Sequence, residues 1–240
     1  PRHEPIRTHW NQRMHLPPCP EIEGGALNPE LDSKLITEQY LESTPEMVVV
    51  DDLLRPETLR ALQAYCRDAT IWKQNYENGY LGAFMRNGLA TPLLIQISEE
   101  LRMTLPGIIG EHRLEQCWAF KCDNELEAVN LHADVAAINV NFWISPDDGN
   151  QNPDEGGLLV WDVESPADWS FADYNGNQEK MRRFLASNES KPIRVPHRCN
   201  RAVIFNSTLF HESDRFSFSP DYEKRRINLT FLYGIRLLEA

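Results

Sequence analysis

The sequence predicts a mainly β fold with flanking helices (α+β), on three observations. From Leu114 onward apolar and polar residues alternate, with Leu114, Gln116, Trp118 and Phe120 set against Glu115, Cys117, Ala119 and Lys121, and a period of two marks a strand. Ahead of that, two stretches carry apolar residues at helical spacing: Leu59, Leu62, Tyr65 and Cys66, then Leu94, Ile97 and Leu101. Third, 240 residues with 41% hydrophobic and 25% charged side chains suffice for one large core.

Residues 1–46 are rich in Pro, Glu and Asn. The breakers Pro17-Pro18 and Gly24-Gly25 predict an irregular N-terminal arm with one helix near Leu31–Leu41 and with Trp10 packed on the main body. Residues 47–240 are expected to form a single domain, with 47–112 as helical support and 113–240 as the β core. Met47–Asp52 reads as a buried strand, and Pro56-Glu57-Thr58 opens the first helix. Residues 70–90 mix aromatics with Gly79, Gly82 and Gly88, as in a long loop or short strands. Thr91-Pro92 caps the second helix, and Pro106-Gly107 stops it. The strand from Leu114 leads through Asp123-Asn124 to a further extended stretch at His132. Ile138–Ile144 puts Asn139, Asn141 and Trp143 on one face and Ile138, Val140, Phe142 and Ile144 on the other; the polar face either lines a site or meets solvent. Ser145–Glu155 is a loop, and Gly156-Gly157 starts a strand through Trp161. Residues 164–191 form an insertion with a helix over Gln178–Ser187, and Ile193–Pro196, Ala202–Asn206 and Ile227–Tyr233 close the sheets.

The 36 acidic against 24 basic residues leave a net charge of −12, which argues against a nucleic-acid or anionic-membrane partner. Five cysteines with no CxxC pair indicate neither a disulfide framework nor a zinc ribbon, and reduced thiols fit a cytoplasmic location. No apolar run approaches the length of a membrane span. The chain starts at Pro1 rather than Met, so a processed product or a domain of a longer polypeptide is expected.

The chemistry concentrates in His132-Ala133-Asp134. In an extended chain, positions two apart share a face, so an imidazole and a carboxylate stand side by side. His211, at the end of the strand-forming run Val203–Phe210, supplies a third ligand. Two histidines and one carboxylate with open positions suit a non-haem Fe(II) oxygenase. In the last strand Arg226, Asn228 and Thr230 share one face, fit to hold a carboxylate, while Arg225 points the other way. Trp143 is read as site-lining, because Asn139 and Asn141 share its face.

In these stretches the chain resembles the 2-oxoglutarate and Fe(II)-dependent oxygenases, in their prolyl-4-hydroxylase-like branch. The likeness rests on His132-Ala133-Asp134, Gly156-Gly157-Leu158-Leu159-Val160, Ala202-Val203-Ile204-Phe205 before His211, and Arg226 opening the last strand. It implies a double-stranded β-helix, a jelly roll shared with the cupins. It further implies Fe(II) on His132, Asp134 and His211, with 2-oxoglutarate and O2 taking the remaining positions. Arg226 would grip the distal carboxylate of oxoglutarate, with Asn228, Thr230 and Asn141 assisting and Trp143 beside them. The implied reaction is hydroxylation of a C–H bond in a protein side chain or a small amino-acid-like molecule, with release of succinate and CO2. The alternative is a cupin-like metal-binding or regulatory protein without turnover. Substrate choice is expected to lie in the aromatics of two long segments, Tyr76, Tyr80 and Phe84 in 70–90 and Trp169, Phe171 and Tyr174 in 164–191, acting as a lid.

Overall fold

The computed structural model describes residues 15–123, 125–126 and 129–235; Trp10, expected to pack on the body, lies outside the described residues. Helix α1 spans Ser33–Glu42, started by Asp32, whose side chain accepts from the Leu35 amide, and it buries Ile36 and Tyr40. Together with Cys19, Ala26 and Leu27 these two join the main core, so the stretch that reads as an irregular arm is packed into the body.

Strand β1 is Met47–Val50. Helix α2, Pro56–Asp68, begins with proline where an amide would go unpaired in any case, and buries Thr58, Leu62, Tyr65 and Cys66. The aromatic stretch forms a hairpin of β2, Gln74–Tyr76, and β3, Tyr80–Phe84. Helix α3, Pro92–Thr104, is capped by Thr91, which accepts from the Leu94 amide at 3.2 Å. The β core follows as β4 (Leu114–Cys122), β5 (Glu125–Leu126), β6 (Ile138–Trp143) and β7 (Leu158–Glu164). The insertion carries α4, Phe171–Asn175, and α5, Gln178–Ser187. The chain ends through β8 (Pro192–Val195), β9 (Ala202–Asn206), β10 (Leu209–Ser213), β11 (Phe216–Ser217) and β12 (Ile227–Tyr233).

Seven strands form one antiparallel sheet in the order β1-β9-β6-β12-β4-β3-β2, and a second sheet runs β10-β7-β8. From β4 onward the chain switches sheet at almost every connection, which is the path of a double-stranded β-helix. The run Val203–Phe210 is therefore not one strand. It breaks at Ser207-Thr208 into β9 of the large sheet and β10 of the small one, and His211 lies within β10 rather than after its end.

Each strand of the large sheet serves two cores because its side chains alternate. Val140, Phe142, Leu229 and Phe231 pack with Leu62, Ile97 and Leu101 of the helices, while Trp143, Val203 and Phe205 meet Leu158, Val160 and Val195 of the small sheet. Close approach at the mouth of β7 depends on Gly157, where a Cβ would sit 1.9 Å from the Val195 carbonyl oxygen. On the outer side of the small sheet, Tyr174, Met181 and Leu185 of the insertion cover Leu131, Ala133 and Phe210.

Candidate functional site

The His132 segment is extended but belongs to no strand; one bridge and a set of single contacts hold it. His132 and His211 exchange backbone hydrogen bonds of 3.0 and 2.8 Å, and the Asp134 amide donates to the Ser207 carbonyl at 3.0 Å. From the other side the Ala133 amide donates to the Tyr174 carbonyl, while Asn175 and Gln178 donate their side-chain amides to the carbonyls of Ala133 and Leu131 at 3.1 and 2.7 Å. Alternation then decides the faces: Leu131 and Ala133 sink into the insertion's apolar cluster, and His132 and Asp134 turn to the space between the sheets.

There they meet His211. The two imidazole centroids lie 4.2 Å apart, and Nε2 of His211 and of His132 stand 3.4 and 3.9 Å from the Asp134 carboxylate oxygens. One ligand atom from each of the three residues lies within 4.8 Å of the others. Each Nδ1 faces a carbonyl, that of Asn130 at 2.7 Å for His132 and that of Leu209 at 3.0 Å for His211, which places the ring proton on Nδ1 and leaves Nε2 as the lone-pair donor. Burial, then the neighbouring His211, pull the His132 pKa down to about 4, against the opposing pull of Asp134, so this ring is neutral and ready to ligate. Burial pushes the Asp134 carboxyl up, but its polar contacts, the Asn139 amide among them, outweigh it and hold the group below the usual range. Asn139 donates to Asp134 Oδ2 at 2.8 Å. The donor set suits a divalent metal with positions left for other ligands.

Arg226 closes the inner end of the same space. It is 1% exposed, and it donates to the carbonyls of Gly156 and Gly157 at 2.8 and 3.0 Å and to Asn228 Oδ1 at 3.0 Å. Arg225 faces the opposite way and pairs with Asp123. Asn141 donates to Thr230 Oγ1 at 3.1 Å, and the register that sets Thr230 against Asn141 and Asn228 against Trp143 puts this row on one face of the large sheet. Asn139, Asn141, Asn228, Thr230 and Arg226 all line the inner cavity, so the polar face of β6 does not meet solvent. Trp143 does not line it. This indole is fully buried in the inter-sheet core, 6.0 Å from the ring of His197. The inner cavity is narrow, about 30 Å³, which is room for one water rather than for a five-carbon diacid, so such a ligand binds only with a shift of lining side chains.

Outside the histidines the space widens into a chamber of about 470 Å³. Tyr76, Tyr80, Phe84 and Phe171 line it as the sequence suggests, whereas Trp169 and Tyr174 pack into the apolar cluster under the insertion and anchor it. Sequence reasoning missed Asn139 as the Asp134 partner and Trp118 and Phe120 as cavity walls. The alternation of β4 carried the second signal, since Trp118 and Phe120 stand opposite Thr230 and Asn228.

Sequence comparison matches no protein-family model and no curated protein. Comparison of the folds does. The chain is similar to the carbocyclase SnoK from nogalamycin biosynthesis, a non-haem α-ketoglutarate-dependent enzyme, at 13% identity and a TM-score of 0.59 over 88% of this chain and 86% of that one. It is similar to HygX from Streptomyces hygroscopicus, solved with nickel, 2-oxoglutarate and hygromycin B, at 13% identity and a TM-score of 0.58 over 83% and 87%. A prolyl-4-hydroxylase from Pseudomonas putida aligns at 15% identity and a TM-score of 0.53 over 85% and 100%. The fold is the double-stranded β-helix. Within that double-stranded β-helix, His132, Asp134 and His211 sit between the two sheets at one end, with Arg226 deeper in the same cavity.

Proposed function

We propose that the chain is an Fe(II)- and 2-oxoglutarate-dependent oxygenase that hydroxylates a C–H bond of a small molecule or a protein side chain and releases succinate and CO2. The observation that carries this reading is the joint placement of three metal donors and a buried arginine in one cavity. His132, Asp134 and His211 would hold Fe(II), their orientation fixed by the Asn130 and Leu209 carbonyls and by Asn139. Arg226 would take the distal carboxylate, aided by Asn228, Thr230 and Asn141. The bound iron and oxoglutarate would supply the activation of O2. That HygX was solved with nickel and 2-oxoglutarate supports naming this cosubstrate. The five unpaired cysteines suit a reducing, cytoplasmic setting, and the net charge of −12 speaks against a nucleic-acid substrate. No helix among the described residues is long and apolar enough to cross a membrane.

The narrowness of the inner cavity favours a second reading, a cupin-like metal-binding protein without turnover. Two measurements separate them. Anaerobic Fe(II) titration should show one site, weakened at least tenfold in His132→Ala and Asp134→Ala, and unchanged affinity in both variants overturns the metal assignment. Succinate formation from oxoglutarate that requires Fe(II) and O2 supports the oxygenase; metal binding with no oxoglutarate binding by calorimetry leaves the binder.

A further inference from the structure

We infer that the 470 Å³ chamber over His132 and Asp134 is a binding site for an uncharged, flat, aromatic or fused-ring substrate. The inference rests on the oxygenase reading for the chemistry done to that substrate, but its binding can be measured apart from any turnover. One wall is an aromatic panel. The rings of Tyr76 and Tyr80 stack with centroids 4.4 Å apart and 12° between planes, and both present edges to Phe120 at 5.7 and 5.0 Å. Phe84 and Trp118 continue the panel at 6.5 and 6.2 Å from Phe120. Gly82 lies beneath it, where a Cβ would come within 3.0 Å of the Phe84 ring and 3.1 Å of the Tyr76 ring, so the rings rest on bare backbone. Such a surface offers a π face at little entropic cost, since the rings already fix one another.

The rest of the lining carries no free charge. Among the described lining residues the only carboxylate is Asp134 and the only imidazole is His132, both assigned to the metal; Lys and Arg are absent. The polar groups are carboxamides: Gln116, Asn130, Asn175 and Gln178. Asn175 and Gln178 already donate to Ala133 and Leu131, which leaves their oxygens as acceptors for a substrate hydroxyl. Burial pushes the Tyr80 hydroxyl up to about 12, with Tyr76 and Cys122 adding to it, so it stays neutral. A free amino acid would bring an ammonium and a carboxylate into this chamber with no partner for either, a heavy desolvation penalty. Arg86 stacks 5.2 Å over the Phe84 ring but is outside the lining. The volume falls in the range of sites that enclose a drug-sized ligand.

The test uses one ring with different charges. Calorimetry of the whole chain, with Mn(II) and oxoglutarate present, is run with 2-naphthalenemethanol, 2-naphthoate, 3-(2-naphthyl)alanine and its N-acetyl amide. The neutral alcohol should bind at least tenfold tighter than the anion and the zwitterion, and Tyr76→Ala on the hairpin should weaken it at least fivefold in a chain that is still folded by circular dichroism and has unchanged Mn(II) affinity. Gly82→Ala, which tilts the panel without removing a ring, should weaken it as well. Equal or tighter binding of naphthoate or naphthylalanine overturns the inference, as does indifference to both variants. Preference for the N-acetyl amide over the alcohol would assign the chamber to a peptide side chain and overturn it too. Loss of Mn(II) binding, by contrast, strikes the oxygenase reading and leaves the chamber to be judged on ring binding alone.

Discussion

Replacing Arg226 with methionine removes a guanidinium that both holds the fold and, in the proposed function, grips the cosubstrate. The side chain is 1% exposed and satisfies three buried acceptors: the Gly156 and Gly157 carbonyls and Asn228 Oδ1. A buried acceptor left without a donor costs about 1–3 kcal/mol; the Gly157 carbonyl keeps the Asp214 amide at 3.2 Å, so the two left bare, the Gly156 carbonyl and Asn228 Oδ1, sum at the low end to ~2 kcal/mol. That is a large share of the roughly 5–15 kcal/mol that holds a domain folded. Arg225→Met is the control, because its pair with Asp123 is half in solvent, 22% and 56% exposed. A pair of that kind contributes about 0–1 kcal/mol. Equilibrium urea unfolding, followed by tryptophan fluorescence, should show the larger loss only in Arg226→Met, with the slope unchanged. Calorimetry with Mn(II) should show oxoglutarate affinity down by about a hundredfold, two charge-assisted bonds at ~1.5 kcal/mol each. Equal losses of stability in the two variants would refute the register. A destabilised Arg226→Met that still binds oxoglutarate as wild type would refute the cosubstrate role while leaving the structural one.

Gly157→Ala should give no soluble folded protein at 37 °C, since the added Cβ meets backbone on β8 with nothing flexible to yield; a normal circular dichroism melt would contradict this. Asn175→Ala and Gln178→Ala each remove one hydrogen bond to the His132 segment, and metal affinity should fall severalfold in each, read by Mn(II) calorimetry. Hydrogen bonds from Arg201 hold the Asp51 carboxyl below its usual range, against burial and with Arg198 adding its charge. A depressed carboxyl stabilises above its unfolded pKa of about 4 and loses that contribution as pH falls through the folded value, so Asp51→Asn should flatten the acid limb of a stability profile below about pH 4.

Local pattern carried what depended on local geometry. The helix over Gln178–Ser187, the Thr91 cap and the two faces of Ile138–Ile144 follow from periodicity and capping alone. The choice of Arg226 over Arg225 followed from the apolar residues on the opposite face of β12. The break at Ser207-Thr208 did not show, because a continuous apolar run looks the same whether it stays in one buried sheet or passes between two. Trp143 and Trp118 illustrate a second limit. Both sit on site-facing sides of their strands, and only the register places Trp118 beside Thr230 at the open end and Trp143 in the closed core. Trp169 and Tyr174 read as lid aromatics by composition, yet they fix the insertion to Leu131, Ala133 and Phe210, a long-range contact that no local spacing encodes.

The insertion thus has two faces with separate jobs. Its inner packing and the donors of Asn175 and Gln178 hold the segment that carries His132 and Asp134, which has no sheet of its own beyond the bridge to His211. The same two carboxamides, with Phe171, form part of the chamber wall. A ring seated against that wall would touch the groups that set the position of His132 and Asp134, so in the proposed function its contacts would differ between a well-formed and a loosened metal site. Differential contact of that kind is what any coupling between substrate and metal requires. A lid that swings is not needed for it: Trp169 and Tyr174 anchor the insertion, and Asn175 and Gln178 of the chamber wall already bond directly to the segment that carries His132 and Asp134.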